Sequence, residues 1–259
     1  MSHLIIDNYL DKDELRRLHL ALSKIDDFNS DNTSKTEIEN KKTVYKIDSL
    51  PNSIRKNIDF FGSEKSKAIV RNLTGWDGDI KSLIEMPNFG GYAPLHQMER
   101  GGFLGSHIDH THANNGEFIH IANCIFFANE NWADNWQGET ILFDKTGLIA
   151  KEKIAPKPNR ILFFTHDARS FHGVSQVKCP QNIKRITFYM DFYIKKSDID
   201  DFKISFKNRL KKNFKHFEQL TTFIPVPPAK FGFKIKAIFK REFPGYLKNY
   251  FNYLKKLYF

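Results

Sequence analysis

The chain has 259 residues, of which 41% are hydrophobic and 25 are phenylalanines, and it carries a net charge of +10. This amount of apolar side chain can fill a core, which excludes disorder over the whole length. Two cysteines, Cys124 and Cys179, are too few for a disulfide framework, and we expect both to be small buried residues. The sequence has neither a secretory leader nor an apolar run of transmembrane length, so we expect a cytoplasmic protein.

The positive charge is concentrated at the C-terminal end. The segment from Phe202 onward has 14 Lys and Arg residues against two acidic ones, whereas residues 1–201 have 26 against 28. We therefore divide the chain into a nearly neutral body, residues 1–201, and a basic extension, residues 202–259.

The body begins with a predicted strand, "HLIIDNYL", that leads into a helix. Asp11 is a candidate N-cap residue, with Glu14 at the spacing of a capping box. The apolar residues that follow recur at helical spacing, namely Leu15, Leu18, Leu22 and Ile25. This region therefore predicts an amphipathic helix that starts at Asp11.

Two further predictions concern the next 50 residues. The polar stretch 28–42 is predicted to be a surface loop. A second helix is predicted in "SEKSKAIVRNLTGW", with Ser63 or Ser66 near its start and Gly75 near its end.

From about residue 80 the pattern changes to short strands separated by turns. Aromatic and β-branched residues dominate the strand candidates "FIHIANCIFFAN", "ETILFD", "RILFFTH" and "RITFYMDFYI". Helices followed by closely spaced strands predict a mainly β fold of the α+β class, a sandwich or small barrel flanked by N-terminal helices.

The stretch "GSHIDHTH" raises the question of a metal site. In an extended strand the side chains at i and i+2 point the same way, so His107 and Asp109 share one face. A third ligand must come from elsewhere, and His172 in "RSFHGVSQV" is the best candidate. Two histidines and one carboxylate leave adjacent positions open, which suits non-haem Fe(II), although zinc also fits these residues.

Five pieces in order resemble the 2-oxoglutarate- and Fe(II)-dependent dioxygenases, and the prolyl 4-hydroxylase-like branch in particular. They are "GGFLGSHIDH", "IFFANENWADNWQGETILF", "IAPKPNRILFF", "FHGVSQV" and "KRITFYMDFYI", within a core of about residues 86–194. The resemblance implies a double-stranded β-helix, or jelly-roll, core in a dioxygenase domain of residues 1–201.

The resemblance also implies roles for five residues. His107, Asp109 and His172 would be the iron ligands, and Arg185 would bind the distal carboxylate of 2-oxoglutarate, which a guanidinium fork suits. Thr187, two residues further on the same strand face, could add a hydroxyl donor. The cofactors would be Fe(II), 2-oxoglutarate and O2, with ascorbate as a further candidate.

The implied reaction is hydroxylation of a C–H bond with release of succinate and CO2. The substrate could be a prolyl residue, an amino acid, a saccharide or another small molecule, and the sequence does not separate these. The sequence also departs from the family pattern, because Met98 stands where the family often has a tyrosine that contacts the co-substrate. Asn159 stands where a turn glycine is common.

The remaining histidines of this region are predicted not to be ligands; they are His96, His110, His112, His120 and His166. Trp132 and Trp136 could either stack on a substrate or cap the core.

The extension 202–259 interleaves lysines with Phe, Tyr and Leu, which predicts amphipathic helices. They could pack on the barrel, or lie at an anionic membrane or glycan surface as a peripheral contact. Nucleic acid is the least favoured partner of the three.

Two other functions compete with the dioxygenase. One is a non-catalytic jelly-roll binding module that uses the basic extension, and the other is a zinc-dependent hydrolase with the same ligands. The simultaneous presence of His107, Asp109, His172 and Arg185 counts against the first, and Arg185 counts against the second.

Overall fold

The computed structural model describes residues 1–23, 32–35, 39–86, 92–167 and 169–199, together with residues 224–225 and 255. The extension 202–259 therefore lies almost entirely outside the described residues, as does Ile25. The helices are α1 (Lys12–Leu22), α2 (Asn52–Phe61) and α3 (Glu64–Thr74). None of the described helices is long and apolar enough to cross a bilayer.

The strands of the described residues form one antiparallel sheet. They are β1 (His3–Ile6), β2 (Asn32–Lys35), β3 (Glu39–Tyr45), β4 (Lys81–Ser82), β5 (Leu95–Ile108), β6 (His112–Ala113), β7 (Phe118–Phe127), β8 (Thr140–Phe143), β9 (Ala150–Ile154), β10 (Arg160–Thr165), β11 (His172–Val174), β12 (Arg185–Lys195) and β13 (Ile224–Pro225). Along the main path the order is β1-β10-β7-β12-β5-β11-β8-β9.

The sheet curls until its two ends face each other. One apolar cluster joins Leu142 and Ile154, from the β8–β9 end, to Leu162 and Phe164 of β10 and Ile125 of β7. Strands at opposite ends of the hydrogen-bonded order can share a core only if the sheet closes on itself. The result is the mainly β, jelly-roll-like architecture that the sequence predicts, and the space inside the curl is called the interior below.

The helices cover the outer face of β10, β7 and β12. Phe61 of α2 packs on Phe126 and Phe188, with ring centroids 4.8 and 5.5 Å away. Since side chains alternate along a strand, Ile125 and Phe127 point into the interior while Phe126 meets the helices. Strand β7 is therefore buried on both faces, which explains its continuous apolar sequence.

The start of α1 follows from local chemistry. The Asp11 carboxylate accepts hydrogen bonds from the backbone N–H groups of Asp13 and Glu14, and Glu14 accepts one from the Asp11 backbone N–H. This is the capping box that the sequence predicts. Helix α3 starts after Ser63 and ends before Gly75, whose φ of 73° suits glycine.

One prediction for the N-terminal half needs correction, and one helix there was not predicted. The stretch 28–42 is not simply a loop, because β2 and most of β3 fall within it and β3 pairs with β5. Its polar composition hid these strands, because neither shows the alternation of apolar residues that predicts a strand. Helix α2 was not predicted, although Ile54, Ile58 and Phe61 recur on its buried side.

Asn159 replaces the expected turn glycine for a structural reason. Its φ is 55°, in the left-handed region that asparagine tolerates better than most residues. Its side-chain amide also hydrogen-bonds both the backbone N–H and the carbonyl of Leu10, at 2.9 and 2.8 Å. Asn159 thus makes the turn before β10 and ties it to the N-terminal segment.

Candidate functional site

His107, Asp109 and His172 converge at one end of the interior. His107 lies near the end of β5, Asp109 directly follows that strand, and His172 is the first residue of β11. Strand pairing sets His172 opposite His107, with ring centroids 4.3 Å apart. Gly173 permits this approach, because a Cβ there would lie 2.7 Å from the carbonyl oxygen of Leu104. A two-stranded contact therefore brings together residues that are 65 positions apart in the chain.

The potential ligand atoms lie within bonding reach of a common point. Each Nε2 atom lies close to one carboxylate oxygen of Asp109, at 3.4 Å for His107 and 3.3 Å for His172. One ligand atom from each of the three residues can be chosen so that all lie within 4.8 Å of one another. Two atoms about 2.1 Å from one first-row metal ion, at a right angle, are about 3 Å apart. The spacing therefore fits a single small cation.

Backbone contacts set the tautomer of both histidines. The Nδ1 of His107 is 2.8 Å from the carbonyl oxygen of Gly105, and that of His172 is 3.1 Å from the carbonyl oxygen of Ser170. A carbonyl oxygen only accepts, so Nδ1 carries the proton and Nε2 is left with its lone pair. Both lone pairs then face Asp109.

The charges of the three residues also suit a cation. Burial, helped by His172, lowers the pKa of His107. Burial alone would raise the pKa of Asp109, but the two histidines outweigh it and hold that pKa well below its usual value. The pKa of His172 is raised, because Asp109 outweighs the effect of burial. Asp109 is therefore ionised, and its negative charge together with the two Nε2 lone pairs suits a divalent cation.

Arg185 lies fully inside the protein, with 1% of its surface exposed. Its Nε donates to the carbonyl oxygen of Gly138 at 2.7 Å, and its two Nη atoms donate to the hydroxyls of Thr140 and Thr187 at 3.1 and 3.4 Å. Its guanidinium also lies 5.3 Å from the centre of the Phe127 ring. All of these partners are neutral.

A buried guanidinium without a carboxylate partner is costly. Burial lowers the pKa of Arg185, and only Tyr189 and the charge of Glu139 oppose that effect. Among the described residues, no carboxylate lies within ion-pair distance of Arg185. The site is therefore ready for an anion from outside the chain.

Arg185 and the group formed by His107, Asp109 and His172 line the same interior. Phe164 lies 5.0 Å from the ring of His172 and belongs to one apolar cluster with Phe127, on which Arg185 rests. Tyr189 packs against this cluster as well and is only partly buried. A ligand between the two ends would thus meet apolar walls and polar groups at each end, as is typical of small-molecule sites.

Several residues of the site were not predicted from the sequence. Thr140 was missed because only the fold brings β8 to Arg185. Tyr189 and Asp191 were missed although they follow Arg185 at even spacing, which places them on the same face of β12. Asn123 is the only amide side chain in β7, and its amide nitrogen donates to Asp109 at 3.2 Å and to Asp191 at 3.0 Å.

Asp191 is the most unusual titratable group near the site. Burial raises its pKa to about 7, and the negative charge of Asp109 adds to this shift. Tyr193 donates to it at 3.4 Å, and His120 Nε2 lies 3.7 Å from it. A carboxyl group that is partly protonated near neutral pH therefore lies beside the predicted ligands.

The other histidines lie outside the ligand cluster. His120 and His166 stack on each other, with centroids 4.0 Å apart. His110 hydrogen-bonds the hydroxyl of Tyr193 at 2.9 Å, and His112 contacts the hydroxyl of Thr111. His96 packs at a tilt against Tyr189, with ring centroids 4.3 Å apart. Within the described residues only His107, Asp109 and His172 form a group that could hold a metal ion.

Two further expectations concern aromatic and sulfur side chains. Trp132 and Trp136 meet edge to face and pack on the cluster that contains Met98 and Cys179, which favours a role in capping the core. Both cysteines are buried and free. Met98 belongs to an apolar cluster and offers no hydroxyl, so the contact of the family tyrosine is absent at that position.

Residues 93–193 match the 2OG-Fe(II) oxygenase superfamily. The chain carries a domain of this superfamily. The matched domain is that of a 2-oxoglutarate-dependent oxygenase, with Fe(II) and 2-oxoglutarate as its cofactors. The donor set described above, two imidazoles and a carboxylate, fits Fe(II).

Solved structures agree with this fold. A Trichoplax adhaerens prolyl hydroxylase, in complex with a hypoxia inducible factor peptide fragment, aligns with a TM-score of 0.52 and 16% identity over 76% of this chain and 85% of its own. A Pseudomonas putida prolyl-4-hydroxylase aligns with a TM-score of 0.51 and 12% identity, over 75% of this chain and 93% of its own. HygX from Streptomyces hygroscopicus, with nickel and 2-oxoglutarate bound, aligns with a TM-score of 0.50 and 8% identity, over 75% of this chain and 83% of its own. No curated protein sequence matches the oxygenase.

Proposed function

We propose that the oxygenase binds Fe(II) through His107, Asp109 and His172 and hydroxylates a C–H bond of its substrate. Bound there with 2-oxoglutarate, the iron would use O2 to release succinate and CO2 and to insert one oxygen atom into the C–H bond. The close approach of two imidazoles and one carboxylate supports this proposal, because a ligand set of that kind would leave adjacent positions of a bound Fe(II) for co-substrate and O2.

The observation that carries the proposal is Arg185. It is buried, positively charged and surrounded by neutral partners, in the same interior as the three predicted ligands. We assign it to the distal carboxylate of 2-oxoglutarate. Thr187 and Thr140 accept from the guanidinium, so each hydroxyl keeps its own hydrogen to donate to that carboxylate.

Tyr189 is our candidate for the contact that Met98 does not make. It lies on the face of β12 that carries Arg185 and Thr187, and its side chain interacts with the guanidinium. Its phenol could donate to the co-substrate from a neighbouring strand position. The chain's part in the reaction would then be to hold the diacid at both ends and to exclude water with Phe127 and Phe164.

Anaerobic titration tests the proposed function. Fe(II) and 2-oxoglutarate added together should produce a weak visible charge-transfer band that neither produces alone, and the band should be lost in His107→Ala. A band that forms without 2-oxoglutarate, or one that persists in His107→Ala, would overturn the ligand assignment. Turnover of an ester or amide with Zn(II) alone would instead establish the hydrolase.

The substrate class is a peptide or a small molecule. The Trichoplax neighbour was solved with a peptide, which supports including prolyl peptides among the candidates. Succinate release should be screened over prolyl peptides, free amino acids and saccharides. Stimulation by one class above the substrate-free rate would identify it, and no stimulation by any class would reject all three.

We propose that residues 1–201 form the catalytic domain and that the basic extension contacts an anionic membrane or glycan surface. The support is the charge of the extension, 14 basic residues against two acidic ones. Flotation with vesicles containing phosphatidylserine should be salt-sensitive and should disappear when residues 202–259 are deleted. Flotation that survives the deletion would disprove this role.

A further inference from the structure

Strand β7 contains a polar side chain where its surroundings call for an apolar one. Every residue from Phe118 to Phe127 is buried, and Asn123 is 1% exposed. The pairing register sets it between Phe164 of β10 and Asp191 of β12. A buried amide costs free energy unless its hydrogen bonds are made, so the partners of Asn123 matter.

Asn123 uses both of its side-chain hydrogens on carboxylates. Its Nδ2 atom donates to Oδ2 of Asp109 at 3.2 Å and to Oδ1 of Asp191 at 3.0 Å. The amide orientation is chemically determined, because a flipped amide would point its oxygen at two carboxylate oxygens. The Oδ1 atom of Asn123 is buried and has no hydrogen-bond partner among the described residues. Asn123 therefore acts here only as a double donor.

Asp191 is well placed to orient this amide. It lies directly across the strand pair from Asn123, and Tyr193 donates to its other oxygen. The Nε2 atom of His120, a fully buried residue, lies 3.7 Å from the oxygen that Asn123 contacts. The chain of contacts therefore runs from the buried middle of β7 and β12 to the carboxylate of Asp109, which lies just beyond the end of β5.

We propose that Asn123 is a positioning residue for the metal-binding carboxylate, with Asp191 acting through it. The hydrogen bond engages one oxygen of Asp109 and fixes the rotation of the carboxylate, so that Asp109 offers the metal a single oxygen. This inference rests on the proposed function, because it assigns Asp109 to the metal. Supporting contacts of this kind typically change metal affinity by about 10- to 100-fold.

The test measures Mn(II) affinity of the metal-depleted full-length protein by electron paramagnetic resonance, without turnover. Asn123→Leu keeps a similar volume and removes both donors, and it should weaken Mn(II) binding by about 10- to 100-fold. Cys124→Ala, a change at the next buried position of the same strand, should leave the affinity within about twofold. If Asn123→Leu does not fold, Asn123→Ala removes the same hydrogen bonds without added bulk.

A double-mutant cycle separates positioning from a general structural effect. Asp191→Leu should weaken Mn(II) binding in the wild-type background and should have no further effect in the Asn123→Leu background. Equal losses in both backgrounds would show that Asp191 does not act through Asn123. Unchanged affinity in a folded Asn123→Leu protein would reject the positioning role altogether.

His107→Ala distinguishes failure of this inference from failure of the proposed function. If His107→Ala abolishes Mn(II) binding while Asn123→Leu does not alter it, only the role of Asn123 is wrong. If His107→Ala binds Mn(II) as the wild type does, the metal site itself is misassigned. The role proposed for Asn123 is then rejected as well, because it depends on that site.

Discussion

The two faces of strand β12 carry opposite kinds of residue. Toward the helices, Phe188, Met190 and Phe192 are buried in the large apolar core. Toward the interior, Arg185, Thr187, Tyr189 and Asp191 supply charge and hydroxyl groups. The strand alternates with a period of two, so one segment of sequence builds the core and the site at once.

Stability and chemistry therefore reside on opposite faces of β12. The outer face gains free energy by removing apolar surface from water. The inner face holds a guanidinium with no carboxylate partner among the described residues and a carboxyl with a raised pKa, both of which cost stability in the absence of ligands. Changes on the two faces should therefore have opposite signatures.

The largest effect is expected on the outer face. Phe126→Ala removes a fully buried ring that stacks on Phe61, and it should lower the free energy of unfolding by about 3–5 kcal/mol. Urea denaturation measures the loss. Leu20→Ala, at a side chain that is 63% exposed, is the control and should change the value by less than about 0.5 kcal/mol. A loss under about 1 kcal/mol for Phe126→Ala would contradict the assignment of this face to the core.

Arg185→Gln gives the converse result on the inner face. It should weaken 2-oxoglutarate binding by about 10- to 150-fold, the equivalent of about 1.5–3 kcal/mol for a charge-assisted contact. The free energy of unfolding should stay equal or rise, because a buried charge without a carboxylate partner is removed. Anaerobic ligand titration and urea denaturation measure the two quantities.

Arg71→Gln is the matched control for that substitution. Arg71 is a partly exposed arginine that pairs with Glu64, outside the interior. Its loss should leave 2-oxoglutarate affinity unchanged. If both arginine variants weakened binding equally, the contribution of Arg185 would be long-range charge rather than a specific contact.

The pH dependence of stability should carry the contribution of Asp191. Its folded-state pKa is about 7, above its ordinary value, so the folded protein binds more protons than the unfolded chain in the window between them. The metal-free protein should therefore lose stability from this group as pH rises from about 4 to 7, by at most about 1.4 kcal/mol per pH unit. Above about pH 7 this loss should level off.

Asp191→Asn isolates that contribution. Relative to the variant, the wild type should lose free energy of unfolding as pH rises from about 4 to 7. Denaturation at each pH measures this difference. Since the charge of Asp109 contributes to the shift, a bound cation should reduce the difference. A difference that stays constant from pH 4 to 8 would mean that Asp191 titrates normally.

The smallest effect on stability is expected at Asp11, the N-cap of α1, which lies away from β12. Asp11→Ala removes the cap of α1 and should cost about 1 kcal/mol, in a range of about 0.5–2. Asp13→Ala, which leaves the capping box intact, should cost less. Thermal unfolding of the two variants orders them, and a larger loss in Asp13→Ala would contradict the capping role.

Local patterns in the sequence were enough for much of the fold. The capping box at Asp11 and the alternation in β12 depend on residues a few positions apart, so the sequence displays them directly. Helix α2 was missed although Ile54, Ile58 and Phe61 recur on its buried side, whereas strands β2 and β3 were missed because they are polar. Strand β3 exists because it pairs with β5.

The predicted site residues depended on the resemblance as much as on spacing. His107 and Asp109 are two apart, and a pattern can pair them. The proximity of His172 requires the pairing of β11 with β5, and that of Thr140 to Arg185 requires the closure of the sheet. These contacts join residues that are dozens of positions apart, and a local periodicity in the sequence cannot predict such contacts.

The sequence by itself determined the alternation of the strands, the helix caps and the presence of two histidines, an aspartate and an arginine of the right kinds. Only the tertiary structure decided that Arg185 has no carboxylate partner among the described residues and that Asn123 joins Asp109 to Asp191. The physical reason is that burial and partnership are properties of a closed sheet. The sequence of an apolar strand does not show which carboxylate its one amide will hydrogen-bond, because that depends on how the sheet brings the strands together.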